Sequence, residues 1–370
     1  MWWRPRNVSD YERLIFKVWK YTGLPVFEIK RLGNSQTVIV HLYFYILLVL
    51  VCLGVINVSV FLIFCETKVD SYRIQMQIFL FAVVTCQNIF FTLFFYIRRN
   101  NVATLLTKFL TTEKIFLACF PKFGCLEVGA KLAKYLLIKV LYTLTMIIGD
   151  CLYLVKDRQD YLFRFCFFPQ LVFFYVAEAT LIFFVFLISK FYTEFGSSLK
   201  RNKQSLTKIC SLYWAIRDLS RETNQTLQFV ILLKFATDLF LMGNDLFFGT
   251  HYIMGMGLDN KFSFVYVFVI IVVWCVFILY VDITVTYVFD KNAEEEVHLI
   301  HSIEENVLNG EHFVPYKYDE ILNIRSGLIS PTYSLYGFVP LNCKAVYAMI
   351  SSVVTYLVYL IQFTNHKYVL

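Results

Sequence analysis

Long apolar stretches, each long enough to cross a lipid bilayer, recur along the chain. A transmembrane helix needs about 20 consecutive, mostly apolar residues. Seven stretches meet this requirement, and we predict spans at residues 38–64, 75–97, 129–155, 165–189, 227–249, 262–289 and 342–363. The third and fifth stretches also contain Lys and Asp residues, which a bilayer tolerates only where they face the interior of a helix bundle.

The segments between these spans alternate between long and short. The long segments, 1–37, 98–128, 190–226 and 290–341, hold 22 Lys and Arg residues, whereas the short segments hold 7. Because positively charged loops stay in the cytoplasm, this imbalance predicts a cytoplasmic N-terminus. Seven spans then place the C-terminus outside.

The long segments have helical patterns of their own. In the segment after the sixth span, Val297, Ile300, Ile303 and Val307 recur at helical spacing, so an amphipathic helix should continue that span. We predict a second such helix over residues 316–328, and we interpret 190–226 as helical too. The apolar faces must be buried, either against the cytoplasmic ends of spans four and five or against a neighbouring subunit.

Composition excludes several classes of protein. The hydrophobic fraction is 58% and the charged fraction 16%, against about 45–50% and 25% in soluble domains, which excludes a disordered chain and disfavours a soluble enzyme. The net charge of +7 is spread over separate segments, so we expect no nucleic-acid partner. The ten Cys lie without metal-site spacing, and His298 and His301 have no third ligand nearby. We therefore predict no enzyme activity, no metal and no cofactor.

The last span carries polar residues on one side. Thr355 and Gln362 are seven residues apart, nearly two helical turns, and so share a face, while Tyr356 and Phe363 form the adjacent stripe. A polar stripe on an apolar helix must face protein or water rather than lipid. Copies of this helix around a symmetry axis could line a pore, with Phe363 as an apolar collar. Hydrogen bonds between helices of one subunit would explain the same stripe.

The C-terminal motif resembles the signature of a known family. Residues 355–363 read Thr-Tyr, five hydrophobic residues and Gln-Phe, which is similar to the signature of the insect gustatory receptors. Gly337, Phe338 and Asn342 resemble the family's lead-in to its last helix. The strict motif is nine residues long, but the length, the topology and the short tail resemble the family along the whole chain.

This resemblance implies a ligand-gated, non-selective cation channel in the plasma membrane of gustatory neuron dendrites or axons. It implies a homo- or hetero-tetramer with related subunits, whose last helices line one pore. Gln362 and Phe363 then fall at the gate, and Thr355 and Tyr356 lie lower on the pore helix. Sugar-responsive members tend to carry an acidic residue where this chain has Leu357. Bitter compounds or contact pheromones are therefore the expected tastants.

These expectations divide the chain into four parts. They are a cytoplasmic segment, 1–37; transmembrane helices one to six, 38–289, as the ligand-binding bundle with a helical cytoplasmic loop, 190–226; cytoplasmic anchor helices, 290–341; and the pore-lining seventh helix with a short extracellular tail, 342–370. The fold class is therefore an all-α membrane protein with a cytoplasmic helical anchor layer.

Several polar and aromatic residues lie in the outer halves of spans three to six. Together they could line a ligand cleft with aromatic walls and a few polar anchors. The candidates are Asp150, Gln170 and Asp245 as anchors, and Tyr266 and Trp274 as walls. Helix packing with buried hydrogen bonds is the alternative for each.

Further charged residues lie within the spans, and two of them, Glu178 and Asp282, lie in the inner halves. Lys234 and Asp238 are four residues apart on one predicted helix, so they can form a local ion pair. Glu178 and Asp282 have no such local partner and could serve subunit contacts or an ion path.

A G-protein-coupled receptor is the main alternative. Asp157-Arg158-Gln159 follows the third span, where such receptors carry Asp-Arg-Tyr. The seventh span lacks an Asn-Pro-x-x-Tyr motif, no helix-length tail follows it, and the charge distribution places Asp157 and Arg158 outside. We therefore interpret residues 156–160 as a solvated turn.

Overall fold

The chain is described by a computed structural model that is almost entirely helical. It describes residues 26–32, 35–41, 72–120, most positions between 128 and 144, 158–199, 206–255, 261–308 and 333–367. The helices are α1 (Tyr72–Ile97), α2 (Arg99–Cys119), α3 (Arg158–Leu199), α4 (Leu206–Gly255), α5 (Lys261–Leu308) and α6 (Cys343–Lys367). The described positions between 128 and 144 are also helical, and we name them the third-span segment.

Two short antiparallel hairpins accompany the helices. The first joins β1 (Val26–Leu32) to β2 (Ser35–His41), and the second joins β3 (Ser334–Leu335) to β4 (Val339–Pro340). Strand β2 corrects the predicted start of the first span at residue 38, because the strand continues to His41. The run Thr37-Val38-Ile39-Val40 is β-branched throughout, and such residues favour an extended backbone. The rest of that span lies outside the described residues.

Three helices are longer than a bilayer requires. Helices α3, α4 and α5 contain 42, 50 and 48 residues, and at 1.5 Å per residue each is roughly 60–75 Å long. Apolar stretches long enough to cross a membrane lie at Glu178–Ser197, Cys210–Asn244 and Ile271–Glu305, and shorter ones lie at Ala82–Ile97 and Cys343–Tyr359. Helices α1, α3, α4, α5 and α6 therefore cover the predicted second, fourth, fifth, sixth and seventh spans, in that order.

Aromatic side chains join α2 to α3. Phe109 lies against Phe184 with ring centroids 5.1 Å apart, and Phe116 lies against Phe191 at 5.2 Å. All four rings are buried. The two pairs are seven residues apart on both α2 and α3. The two helices therefore keep one contact face over about two turns. Burying one such ring contributes about 1.5–3 kcal/mol.

Beyond the predicted spans, the same long helices form a second packed region. We name it the extension layer: residues 190–199 of α3, 206–226 of α4 and 290–308 of α5. The layer confirms that a helix continues the sixth span, because α5 is unbroken to Leu308. Leu299, Ile300 and Ile303 are buried. A Cβ on Gly196 of α3 would lie 3.6 Å from Leu299 Cδ2, so these helices pack closely.

The buried face of α5 in this layer differs from the predicted face by one position. The spacing predicts that Val297 is buried, but it is 40% exposed, and Glu296 lies inside instead. Glu296 shares a helical face with Leu299, Ile300 and Ile303, and it is retained there by polar partners on α3 and α4. The predicted second amphipathic helix at 316–328 lies outside the described residues.

Candidate functional site

The start of α6 is fixed by two polar side chains. The Asn342 side-chain oxygen accepts a hydrogen bond from the backbone N–H of Ala345 at 3.2 Å. Asp290 of α5 accepts one from the backbone N–H of Cys343 at 3.1 Å. Both satisfy donors of the first turn that have no partner within the helix. The base of α6 is therefore capped and tied to α5.

The hairpin before α6 turns tightly. Its turn contains Tyr336 and Gly337, whose φ angles are +52° and +77°, and Phe338 N–H bonds to Leu335 O at 3.0 Å. Consecutive positive φ angles are typical of hairpin turns that match the twist of the strands. Glycine adopts this conformation without strain, which explains why Gly337 precedes Phe338.

The same hairpin is attached along α4 at three positions one turn apart. Ser220 hydrogen-bonds Tyr333, Asn224 Nδ2 donates to Ser334 O at 3.3 Å, and Gln228 Oε1 accepts from Tyr336 N at 3.2 Å. Burial raises the pKa of the Tyr333 phenol above its usual range, so the hydroxyl stays neutral and available to Ser220. The segment that leads into α6 is thus held by α4 as well as by α5.

The predicted polar stripe of α6 faces away from the helices of its own chain. Thr355 and Gln362 are exposed, whereas Val353 is 4% exposed and packs inside. The Thr355 hydroxyl donates to Ser351 O in its own helix at 2.8 Å rather than to another helix. Phe363 lies within α6, but its side chain is not among those described.

Tyr356 contacts α4 at a glycine. A Cβ on Gly243 would lie 3.5 Å from Tyr356 Cδ1, in van der Waals contact, and about half of Tyr356 remains exposed. Because a Cβ at this position would already touch the ring, a larger side chain than that of alanine would displace Tyr356. Tyr356 therefore connects the exposed face of α6 with α4.

Five charged side chains meet in the interior of the helix bundle, and we name them the buried ionic cluster. They are Lys139 of the third-span segment, Glu178 of α3, Lys234 and Asp238 of α4, and Asp282 of α5. Each side chain is at most 2% exposed. The cluster joins four elements that are distant in sequence.

Lys234 lies at the centre of the buried ionic cluster. Its ammonium contacts the carboxylates of Asp238 at 2.5 Å and Glu178 at 3.3 Å, and it also pairs with Asp282. Lys139 lies 3.1 Å from Glu178. The pair predicted between Lys234 and Asp238 is therefore present, but as one part of a larger network.

Aromatic rings surround the second ammonium of the buried ionic cluster. Lys139 Nζ lies 4.4 Å from the ring centroid of Tyr175, 4.7 Å from Phe277, 5.3 Å from Trp274 and 5.7 Å from Tyr135. Ring faces attract cations, and more strongly where water is excluded. The Tyr135 hydroxyl also hydrogen-bonds Glu178. We name these four rings the aromatic cage.

Of the five predicted ligand residues, the structure describes the side chain of one. Trp274 is 5% exposed and belongs to the aromatic cage, with its ring 6.3 Å from that of Tyr175. Gln170, Asp245 and Tyr266 lie in α3, α4 and α5, but their side chains are not described, and Asp150 lies outside the described residues. The structure thus brings Trp274 to the buried ionic cluster, a combination that the spacing of these residues in the sequence does not predict.

Comparisons with known proteins agree with these features. Residues 322–365 match the model of the 7tm chemosensory receptor family, and this range contains the Thr-Tyr to Gln-Phe motif of α6. No curated protein matches the chain. Two solved structures of the insect olfactory receptor OR5 from Machilis hrabei share its fold. The complex with eugenol has 16% identity and a TM-score of 0.64, and the other structure has 14% and 0.62. Both alignments cover 96% of this chain and 98% of OR5.

The family match and the fold match are independent, because one compares sequence and the other compares structure. The family match rests on the sequence of α6 and the segment before it, while the fold match extends over almost the entire length. The chain therefore has the all-α, seven-transmembrane fold of the insect olfactory receptor OR5, and its residues 322–365 are similar to the 7tm chemosensory receptor family.

Proposed function

We propose that this chain is a gustatory receptor that acts as a ligand-gated, non-selective cation channel, responding to bitter compounds or contact pheromones. The observation that carries the proposal is the outward polar face of α6. Thr355 and Gln362 are exposed while Val353 on the opposite side packs inside. A helix in a membrane exposes such polar groups only to protein or to a water-filled path.

The uncovered face of α6 also supports assembly into a homo- or hetero-tetramer of related subunits. Besides the polar stripe, it presents large side chains such as Tyr347 and Tyr359, which are 70% and 60% exposed. One chain alone cannot enclose a pore, but four copies of α6 around an axis can. In this arrangement Gln362 and Phe363 form the gate, and Thr355 and Tyr356 lie lower on the pore helix.

A small-molecule tastant is the expected activator. OR5, which shares the fold, was solved in complex with eugenol. We propose that the tastant occupies the outer cleft near Asp150, Gln170, Asp245, Tyr266 and Trp274. Support comes from Trp274, which is buried and lies against the Tyr175 ring of α3, as aromatic walls do in ligand pockets generally.

Gating then follows from a shift between two conformations. The tastant stabilises the open conformation only to the extent that it binds that conformation more tightly. Because the base of α6 is fixed by Asp290 and by the hairpin along α4, opening moves the distal part of the helix. Gln362 and Phe363 move away from the axis, and cations pass. The proposed orientation places the N-terminus in the cytoplasm and the gate towards the outer surface of the plasma membrane of the gustatory neuron.

The G-protein-coupled alternative is not favoured. The family match and the fold match both lead to insect chemosensory receptors. Of the triplet on which the alternative rested, Arg158 is the first residue of α3, and Asp157 lies outside the described residues.

Excised-patch recording without nucleotide tests the proposal. Cells expressing the chain, alone or with related subunits, are screened with bitter compounds and contact pheromones. An evoked cation current is expected, and Gln362→Ala and Phe363→Ala should change its leak or selectivity. Leu137→Ala, on a 59% exposed position outside α6, serves as the control. A channel that opens normally with both substitutions would contradict the pore assignment, and a current abolished by G-protein blockade would contradict the channel.

A further inference from the structure

The buried ionic cluster has an unequal number of charges. It contains three carboxyl groups, those of Glu178, Asp238 and Asp282, and two ammonium groups, those of Lys139 and Lys234. Among the residues that the structure describes, the other titratable groups that face it are the phenols of Tyr135 and Tyr175. If every carboxyl group were ionised, the cluster would carry one net negative charge with no access to water. An unpaired charge in such surroundings is strongly unfavourable.

The excess negative charge lies on one side of the buried ionic cluster, at Asp238 and Asp282. Glu178 is approached by both ammonium groups, at 3.1 Å and 3.3 Å, and by the Tyr135 hydroxyl. The rings of the aromatic cage also surround Lys139, and among the described residues no ion pair of Lys139 with Asp238 or Asp282 is present. Asp238 and Asp282 therefore share the single ammonium of Lys234. Two carboxylates with one counter-ion account for the extra negative charge.

An unsatisfied oxygen marks the same place. The Asp282 side chain is fully buried, and its Oδ2 has no hydrogen-bond donor among the described residues. The carboxyl groups of Asp238 and Asp282 contact the same ammonium, that of Lys234, so the two groups lie close together. Two ionised carboxylates cannot hydrogen-bond, because neither has a donor. A proton on either one supplies that donor.

We propose that the buried ionic cluster binds one proton, shared between Asp238 and Asp282. The proton makes the cluster neutral, and it lets one carboxylic acid donate to the other carboxylate, which still pairs with Lys234. Carboxyl groups that share a site commonly retain one proton between them. Each receptor subunit thus carries a proton-binding site in its helix bundle, next to Trp274 and distinct from the α6 gate. This inference does not depend on the channel function.

The proposal predicts that stability follows the net charge of the cluster rather than the number of its ion pairs. Asp282→Asn and Asp238→Asn each replace the shared proton with a permanent amide and keep the cluster neutral. Lys234→Met leaves three carboxyl groups with one ammonium, and the double variant Asp238→Asn/Asp282→Asn leaves a net positive charge. The monodisperse yield in detergent should stay within about twofold of the unmodified chain for either single Asn variant and fall roughly tenfold or more for the other two.

Infrared spectroscopy detects the proton directly and needs no ligand. The purified chain should show the C=O stretch of a buried protonated carboxyl group at neutral pH. Either single Asn variant should lose this band, because its remaining carboxylate is ionised against Lys234, while Leu137→Ala should retain it. The proposal would be overturned if the unmodified chain lacked the band, or if it persisted in both single variants.

Discussion

Glu296 is expected to stabilise the extension layer through its three partners. Its carboxylate accepts hydrogen bonds from Tyr213 at 3.1 Å and Tyr192 at 3.3 Å, and Arg217 Nε lies 3.2 Å away. The two tyrosines are fully buried. Glu296→Ala therefore removes the acceptor from two hydroxyl groups that water does not easily reach.

The size of the effect can be estimated from these contacts. A hydrogen bond to a charged group contributes about 1.5–3 kcal/mol, and a buried hydroxyl without a partner costs about 1–3 kcal/mol. The Arg217 pair adds little, because that side chain is 21% exposed and water can replace the carboxylate. Removal of the buried carboxylate also relieves its own desolvation cost. We expect a net loss of about 2–4 kcal/mol for Glu296→Ala. Glu296→Gln, which keeps an acceptor oxygen, should lose about half of this.

Thermal unfolding of the detergent-purified chain, followed by tryptophan fluorescence, measures the difference. Glu294→Ala is the matched control, since Glu294 lies two residues earlier on α5 and is exposed. The melting temperature should fall most for Glu296→Ala, less for Glu296→Gln and not measurably for Glu294→Ala. If Glu296→Ala melted with the control, the reasoning about the extension layer would be wrong.

Three further substitutions test other contacts. Phe191→Ala removes a buried ring between α2 and α3 and should cost about 3–5 kcal/mol in thermal unfolding, whereas Ile97→Ala, at a 73% exposed position, should cost little. Gly243→Leu should displace Tyr356 and alter the ligand-evoked current. Gly243→Ala should leave the current unchanged, because an alanine Cβ fits at 3.5 Å from the ring. Equal currents from both variants would refute the contact. Asn342→Ala removes the cap of α6 and should lower the free energy of unfolding by about 0.5–2 kcal/mol, measured by thermal unfolding. Asn342→Ser should restore most of that stability.

Much of the helical architecture could be predicted from the length of the apolar stretches. Helices α1, α3, α4, α5 and α6 cover predicted spans because burial in a bilayer requires this length, whatever the tertiary contacts. The continuation of α5 was also predicted, since its apolar spacing persists beyond the span. The end of β2 at His41 was not predicted, because a run of β-branched residues is equally compatible with a strand and with a transmembrane span.

The buried ionic cluster could not be assembled from the sequence. Lys139, Glu178, Lys234 and Asp282 lie on four different elements, and only the rotation of each helix decides whether they meet. The local pair of Lys234 with Asp238 was predictable, because both residues lie on one helix at a fixed spacing. Charged residues within apolar stretches were the available signal for the others. Glu296 was missed for a related reason: its burial depends on hydroxyl partners from α3 and α4.

Cysteine accessibility along α6 tests the central claim most directly. Thr355 and Gln362 are replaced by Cys one at a time, with Val353→Cys as the control on the buried side of the same helix. A charged thiol reagent applied during ligand-evoked current should change the conductance of the Thr355→Cys and Gln362→Cys channels and leave the Val353→Cys channel unchanged. Unchanged conductance at both exposed positions, with the thiols shown to have reacted, would contradict a pore lined by α6.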